Sequence, residues 1–298
     1  MTKDRAVASL VGLAIGDALG TTIEFSIRDT YTPVVDLTGG GPFNLSPGEW
    51  TDDTSMAVCL AESLIHDPKL DLDDLLSRFH RWRDQGENAV GGRCFDIGHT
   101  TTNGISAWYY HQTVVNNTED HDSGNGGIMR LAPAAIVGCQ DAVVAKDLAV
   151  RSSATTHASE QCIAGAEFLA EYLVNLYAGQ DVRPAATHAS IEHIATVDYT
   201  QVDREYIKST GYVIHTLEAA VWAVANTNTF KDAVLLAVNL GDDADTVGAV
   251  TGQIAGAKYG LSSIPEGWLN KLYERDRLIE LATKLHGISY VRDSVHAS

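Results

Sequence analysis

The chain has 298 residues and is 45% hydrophobic, enough for a sizeable core in one large domain or two ordinary ones. Its 21 Lys and Arg stand against 39 Asp and Glu, a net charge of −18. So acidic a chain lacks the basic footprint of a nucleic-acid groove or of a face that docks on anionic membranes. The charge favours solubility and low self-association, and a monomer is the expected state.

The first stretch, Ala6 to Gly16, is uncharged and follows Lys3 and Arg5. A signal peptide would look similar. Asp4 among the basic residues and Asp17 at the end of the run favour a buried helix instead. Val7, Leu10, Val11, Ala14 and Ala18 also recur at helical spacing. No segment approaches the roughly 20 apolar residues of a membrane span. Four cysteines, Cys59, Cys94, Cys139 and Cys162, form no C-x-x-C pair and no disulfide framework. A reduced, cytoplasmic protein is the expectation.

Further along, "TSMAVCLAESLIHD" places Met56, Leu60, Ser63 and Leu64 on one helical face. "DLDDLLSRFHRWRDQ" follows Pro68, with Asp71 or Asp73 as N-cap. "SEQCIAGAEFLAEYLVNLYAG" predicts a helix closed by Gly179. "GYVIHTLEAAVWAVANT" and "TFKDAVLLAVNLG" predict two more. "DTVGAVTGQIAGAKYG" carries Gly248, Gly252 and Gly256 at every fourth position. That spacing serves membrane dimers, and here it lets helices cross closely in a soluble core. "EGWLNKLYERDRLIELATKLHG" predicts a last amphipathic helix. Alternating strand patterns are scarce, and glycine clusters such as "LTGGGPFN", "AVGGRCFDIG" and "DHDSGNGGIMR" fall between helices. The expectation is one all-α domain over residues 1–298, whose end loops pool their polar residues.

Two of those helices open on clustered acids. Thr51, Asp52 and Asp53 precede a helix expected to begin near Thr54, and Asp243, Asp245 and Thr246 precede the glycine-punctuated one. Like charges about 4 Å apart repel by about 4 kcal/mol at an effective dielectric near 20. Capping uses one such side chain per helix, worth about 0.5–2 kcal/mol, and leaves the others unexplained. Oxygen ligands without Cys or His suit Mg²⁺, Mn²⁺ or Ca²⁺. Solvated acidic clusters are also common in acidic proteins. A third acidic pair, Asp17 and Glu24, lies in "GLAIGDALGTTIEF".

Ser123 to Gly127, "SGNGG", offers consecutive backbone N–H groups of the kind that cradle a phosphate, or a simple turn. It lacks the G-K-[ST] ending of a P-loop. His157 stands before a strong helix, where a histidine serves as a cap or surface residue more often than as a ligand.

Taken in order, "GLAIGDALGTTIEF", "WTDDTSMA", "FDIGHTT", "GNGGIMRLAP", "THAS", "GYVIHTLEAAVWAV" and "GDDADTVGAVTG" resemble the ADP-ribosylglycohydrolase family over nearly the whole chain. The resemblance implies a compact, orthogonal multi-helix bundle with a binuclear Mg²⁺ or Mn²⁺ centre in a cleft. It implies release of ADP-ribose from a modified acceptor, either a protein or a small conjugate. By motif, Thr51, Asp52, Asp53, Asp243, Asp245 and Thr246 would be metal ligands. Glu24 matches the glutamate of a mobile loop, and Asp96 an acidic residue beside the substrate ribose. Ser123, Gly124, Asn125 and Gly126 match the diphosphate-holding loop, and His157 and Tyr212 the wall of the ADP-ribose cleft.

Two positions depart from the pattern. Asp242 replaces the second glycine of the usual G-G-D-x-D-T, so its carboxylate either perturbs the centre or faces solvent. His99 stands where nitrogenase-regulating members carry Asn, which points the substrate site toward a different acceptor. Cleavage of a glycosidic bond implies an oxocarbenium-like transition state. Asp96 or Asp245 is the candidate base and Glu24 a partner in proton transfer. Clustered charge would be offset by the divalent cations. Arginine is the first-choice acceptor. Serine-linked ADP-ribose and O-acetyl-ADP-ribose remain open, as do another binuclear hydrolase and a non-catalytic binder.

Overall fold

The computed structural model describes residues 2–114 and 123–288. The "DHD" that precedes Ser123 in the third glycine cluster lies outside the described residues. Among the described residues there are no strands, only isolated bridges between Gly40 and Leu45 and between Gly124 and Tyr212.

The N-terminal run is indeed a helix, α1 (Thr2–Gly20), buried from Ala6 onward. Then come α2 (Asp52–His66), α3 (Leu72–Gln85) and α4 (His99–His111). Asp71 is the N-cap of α3, accepting from the amides of Asp73 and Asp74. Short turns α5 (Gly126–Met129) and α6 (Ala132–Val137) lead into α7 (Ala142–Ala154) and α8 (Glu160–Tyr177). Gly179 follows α8 at φ 84°, the left-handed stop expected of it. After α9 (Glu192–Thr196) come α10 (Val213–Ala225), α11 (Phe230–Val238) and α12 (Ala244–Tyr259).

The predicted last helix is two: α13 (Glu266–Lys271) and α14 (Arg275–His286). Between them Glu274 is left-handed at φ 50°. The Tyr273 amide donates to Gly48 O instead of continuing the helix, at 3.0 Å. Both acidic helices also begin slightly before their expected points. Asp52 and Asp53 open the first turn of α2, and Asp245 and Thr246 lie in the first turn of α12.

The organising contact is antiparallel packing of α1 on α12. A Cβ added at Gly12 would sit 2.2 Å from Gly252 O, at Gly16 1.9 Å from Gly248 O, and at Gly20 2.1 Å from Ala244 O. Gly256 meets Ala8 O in the same way, at 2.1 Å. Every fourth residue of α12 therefore touches every fourth residue of α1, backbone against backbone. Side chains of ordinary size hold packed helix axes about 8–10 Å apart. Removing them brings the C-terminal end of α1 directly onto the N-terminal end of α12.

Candidate active site

That junction gathers the acids. Asp17, on the last turns of α1, accepts from Thr51 N and Oγ1, both at 2.9 Å. It also accepts from Thr54 N at 3.1 Å and Thr54 Oγ1 at 2.6 Å. The N-terminus of α2 is thus capped from another helix, and Thr51 makes no cap bond with its own side chain. Asp243, at the N-cap of α12, makes none either. Capping therefore does not account for the clusters' own side chains.

Carboxylate oxygens of Asp17, Asp53 and Asp245 lie within 4.8 Å of one another, as do those of Glu24, Asp96 and Asp245. Thr51 Oγ1 lies 3.3 Å from Asp53 Oδ2 and 3.3 Å from Asp245 Oδ2. One hydroxyl proton cannot serve Asp17, Asp53 and Asp245 together. Asp53 Oδ1, Asp245 Oδ1 and Glu24 Oε2 are buried without a hydrogen-bond partner among the described residues. Such atoms are costly to leave unmet.

Burial, reinforced by neighbouring carboxylates, lifts Asp52, Asp53 and Asp245 well above the usual range. Asp243 is raised too, chiefly by burial. Burial raises Asp17 to about 6 against its four hydrogen bonds. It raises Asp96 to about 7, and Glu24, with Asp96 beside it, to about 10. An oxygen-only donor set with orphaned buried lone pairs and mutually repelling acids fits a hard divalent cation.

The facing wall is neutral and internally bonded. Ser123 Oγ meets Ser159 Oγ at 2.7 Å, and Ser123 O accepts from Val213 N at 3.0 Å. Asn125 N donates to Gly211 O at 3.1 Å, so this amide of the loop is committed within the protein. Asn125 Nδ2 reaches Thr216 Oγ1 at 2.9 Å and also Asp243 Oδ2, tying the loop to the acidic wall. Gln253 of α12 donates to the carbonyls of Ile128 and Met129 at 3.0 and 2.9 Å. The His157 ring lies against the loop: a Cβ on Gly126 would come within 2.4 Å of His157 Cε1.

Between the walls runs a cleft of about 620 Å³. Glu24, Asp52, Asp96, Asp243, Asp245 and Thr246 line its acidic side. Asn125, Gly126 and His157 line the neutral side. Thr51, Asp53 and Ser123 are buried outside the lining, and Gly124 and Tyr212, both half-buried, are outside it too. His99 is exposed at the N-terminus of α4, outside the lining, although its neighbour Gly98 is part of it. Asp242 is exposed at the cleft mouth with φ 55°, a conformation that explains a glycine at this position.

Sequence reasoning missed several residues here. Phe25 lines the mouth, 66% exposed, at φ 60°. Its amide donates to Asp242 O at 2.8 Å, and Asp242 N donates back to Ser26 O at 2.9 Å. Asp96 has φ 60° as well. Left-handed backbone at a non-glycine residue is a known mark of functional sites. Arg130, fully buried behind the loop, was visible only as one letter of "GNGGIMR". Among the described residues, no helix is long and apolar enough to cross a membrane.

Comparison with known proteins agrees with this geometry. A family model described as ADP-ribosylglycohydrolase matches residues 1–294. The chain is 47% identical over 291 residues to "ADP-ribosylarginine hydrolase Tri1" of Serratia proteamaculans (strain 568), covering 95% of this chain and 79% of that protein. It is 33% identical over 273 residues to the "ADP-ribosyl-[dinitrogen reductase] glycohydrolase" of Rhodospirillum rubrum, covering 90% of each. A solved structure titled "ADP-ribosylglycohydrolase-related protein complex" matches with a TM-score of 0.82 at 34% identity, covering 96% of this chain and 98% of that one. With the fold, the acidic floor and the whole-chain match in agreement, this chain belongs to the ADP-ribosylglycohydrolase family.

Proposed function

We propose that this protein hydrolyses the bond between the ribose anomeric carbon of ADP-ribose and the guanidinium nitrogen of a modified arginine on a protein. The carrying observation is a single cleft that sets an orphan-rich acidic floor against a neutral glycine-rich wall. Proteins 47% and 44% identical bear the name ADP-ribosylarginine hydrolase, which supports arginine as the acceptor. The cleft mouth supports it too. Phe25 offers an exposed ring and Asp242 an exposed carboxylate, a pair suited to a guanidinium.

Thr51, Asp52, Asp53, Asp243, Asp245 and Thr246 are the proposed ligands of two divalent cations, Mg²⁺ or Mn²⁺. When bound, such cations supply charge stabilisation at the ribose and a water acidic enough to attack near neutral pH. Asp96, held over the floor by its left-handed backbone, takes the proton from the attacking water, with Asp245 as the alternative base. Glu24, whose carboxyl lies in the same group as theirs, assists the proton on its way to the leaving nitrogen. Gly126 meets the diphosphate on a loop that Asn125 ties to Thr216 and Asp243 and that Ser123, Gly124 and Tyr212 shape, and His157 closes that side. His99, outside the cleft lining, would meet the acceptor side of the substrate. We further propose a single-domain, monomeric, cytoplasmic enzyme.

The test is a panel of arginine-linked, serine-linked and acetylated ADP-ribose assayed with Mg²⁺ or Mn²⁺. Free ADP-ribose released fastest from the arginine conjugate is the expected result. Faster turnover of the serine or acetyl conjugate would overturn the acceptor, and phosphate or a nucleotide as product would overturn the reaction.

A further inference from the structure

The cleft mouth carries apolar surface beyond what lines the cleft. Phe25, Ile27 and Tyr206 are 66%, 72% and 70% exposed. Apolar side chains scattered singly over a surface are ordinary. These three sit on two segments that adjoin at the mouth, residues 24–29 and 204–211. Glu24 and Phe25 of the first and Thr210 and Gly211 of the second line the cleft. Ile27 and Tyr206 lie outside that lining.

One guanidinium joins the two segments. Arg28 Nη1 donates to Arg204 O at 3.1 Å and Nη2 to Ile207 O at 2.6 Å, carbonyls on either side of Tyr206 in the chain. Nη2 also reaches Ser209 Oγ at 3.3 Å, and Nε donates to Leu240 O at 2.8 Å. Asp29 makes a second join. Its two oxygens accept from Arg204 at 2.9 and 2.8 Å, and Arg204 Nη2 also donates to Asn239 O at 2.6 Å. A bidentate pair of this kind fixes direction as well as distance. Phe25 and Asp29, at φ 60° and 62°, bracket Ile27 with left-handed backbone. The backbone around Ile27 and Tyr206 is therefore pinned while both side chains stay exposed. Arg28 is committed to backbone oxygens, and Asp29 and Arg204 to one another, so these apolar side chains are what the join leaves for a partner. A surface fixed in advance loses little freedom on binding.

An arginine-linked substrate would bring its polypeptide here. With ADP-ribose in the cleft and the guanidinium at Phe25 and Asp242, the acceptor backbone lies one arginine side chain from the mouth. Residues flanking the modified arginine then reach the rim. We propose that Phe25, Ile27 and Tyr206 form a docking rim for the acceptor polypeptide, which selects apolar residues beside the modified arginine. The rim rests on the arginine reading proposed above and adds to it a preference for that residue's neighbours.

The test is hydrolysis by the full chain, with Mg²⁺, of ADP-ribosyl-agmatine and of short peptides whose central ADP-ribosyl-arginine is flanked by leucines or by serines. KM for the leucine peptide is expected about tenfold below that for the serine peptide, with kcat alike, the effect of one good apolar anchor. Ile27→Asp combined with Tyr206→Ser is expected to erase that difference and to leave the agmatine conjugate as it was, since neither residue lines the cleft. Val143→Ser, at a position 60% exposed on α7, should change nothing. Equal KM for the two peptides overturns the rim, and this wild-type comparison stands even if the double variant does not fold. A leucine preference that survives in the double variant, or a loss shared by the agmatine conjugate, also overturns it. So does a wild-type dimer in sedimentation that the double variant breaks, because a second copy would then occupy the rim. Each of these outcomes leaves the arginine reading standing. An agmatine conjugate that releases no ADP-ribose would overturn that reading and the rim with it.

Discussion

The two walls of the cleft solve opposite problems. The acidic floor is under-satisfied: Asp53, Asp245 and Glu24 each keep a buried oxygen without a partner among the described residues. The glycine wall is satisfied from behind, with Ser123, Asn125 and Thr156 all bonded within the protein. The first arrangement waits for exchangeable cations. The second is preorganised and needs nothing added before substrate arrives. One cleft therefore combines a removable source of charge with a fixed template.

The sharpest way to break this contrast is on the floor. Asp52→Asn or Asp245→Asn keeps the side-chain shape and removes a charge. Turnover should fall by about 10²–10³-fold or more, the scale of losing one preorganised electrostatic group. Circular dichroism should remain that of the folded protein. Wild-type release of ADP-ribose by either variant would remove the two-cation floor from the proposal.

Stripping cations probes the same wall without mutation. EDTA should abolish activity, and Mg²⁺ or Mn²⁺ should restore it. The metal-free protein should also show an inverted pH response. Asp17 at about 6 and Asp96 at about 7 lie above their unfolded value of 3.8, so the folded state binds more protons than the unfolded one. Their contribution is fully present below about pH 4 and is lost as pH rises through 6 and 7. The melting temperature of the chelated protein should therefore fall between pH 5 and pH 8, and added cation should flatten the trend. A chelated protein that gained stability over that range, or stayed fully active, would contradict the floor as described.

Both walls hang on the glycine contact between α1 and α12. Gly252→Ala should gain up to about 1 kcal/mol from helix propensity alone. Its new Cβ would land 1.9 Å from Gly12 O, against backbone that cannot rotate away. Overpacking of this kind costs about 1–3 kcal/mol, so the melting temperature should drop, by about 2–4 °C per kcal/mol at this size. Because the same contact holds Asp17 and Glu24 against Asp245, Mn²⁺ affinity should fall with it. A Gly252→Ala protein more stable than wild type would mean the helices do not touch there.

What could be read in the sequence follows from the same contrast. Asp71 as a cap, Gly179 as a stop and the buried faces of α1 and α2 are local signals, carried by residues a few positions apart. The acidic clusters were legible because three oxygen-bearing side chains at one helix mouth exceed the one that capping uses. Partnerships across the fold were not legible. Nothing near Asp17 shows that it caps a helix 34 residues on, and Gly248, Gly252 and Gly256 do not name Gly16, Gly12 and Ala8 as their partners. The left-handed turns at Phe25 and Asp96 have no composition signal either, since both residues are ordinary in other backbone states.

Asp242 gives the smallest effect and the finest discrimination. Its φ of 55° suits glycine, so Asp242→Gly relieves left-handed strain of roughly 1–2 kcal/mol. Glycine returns roughly 0.5–1 kcal/mol of that as chain entropy, leaving stability nearly unchanged. The carboxylate, however, is exposed at the cleft mouth beside Phe25. A surface charge pair contributes about 0.2–1 kcal/mol, so KM for an arginine-linked substrate should rise no more than about fivefold, with kcat unchanged. KM for an acetyl-linked substrate, which carries no guanidinium, should not move. Equal shifts for both substrates would show that Asp242 acts on the floor beneath it and not on the acceptor, and would leave Phe25 as the remaining candidate at that mouth.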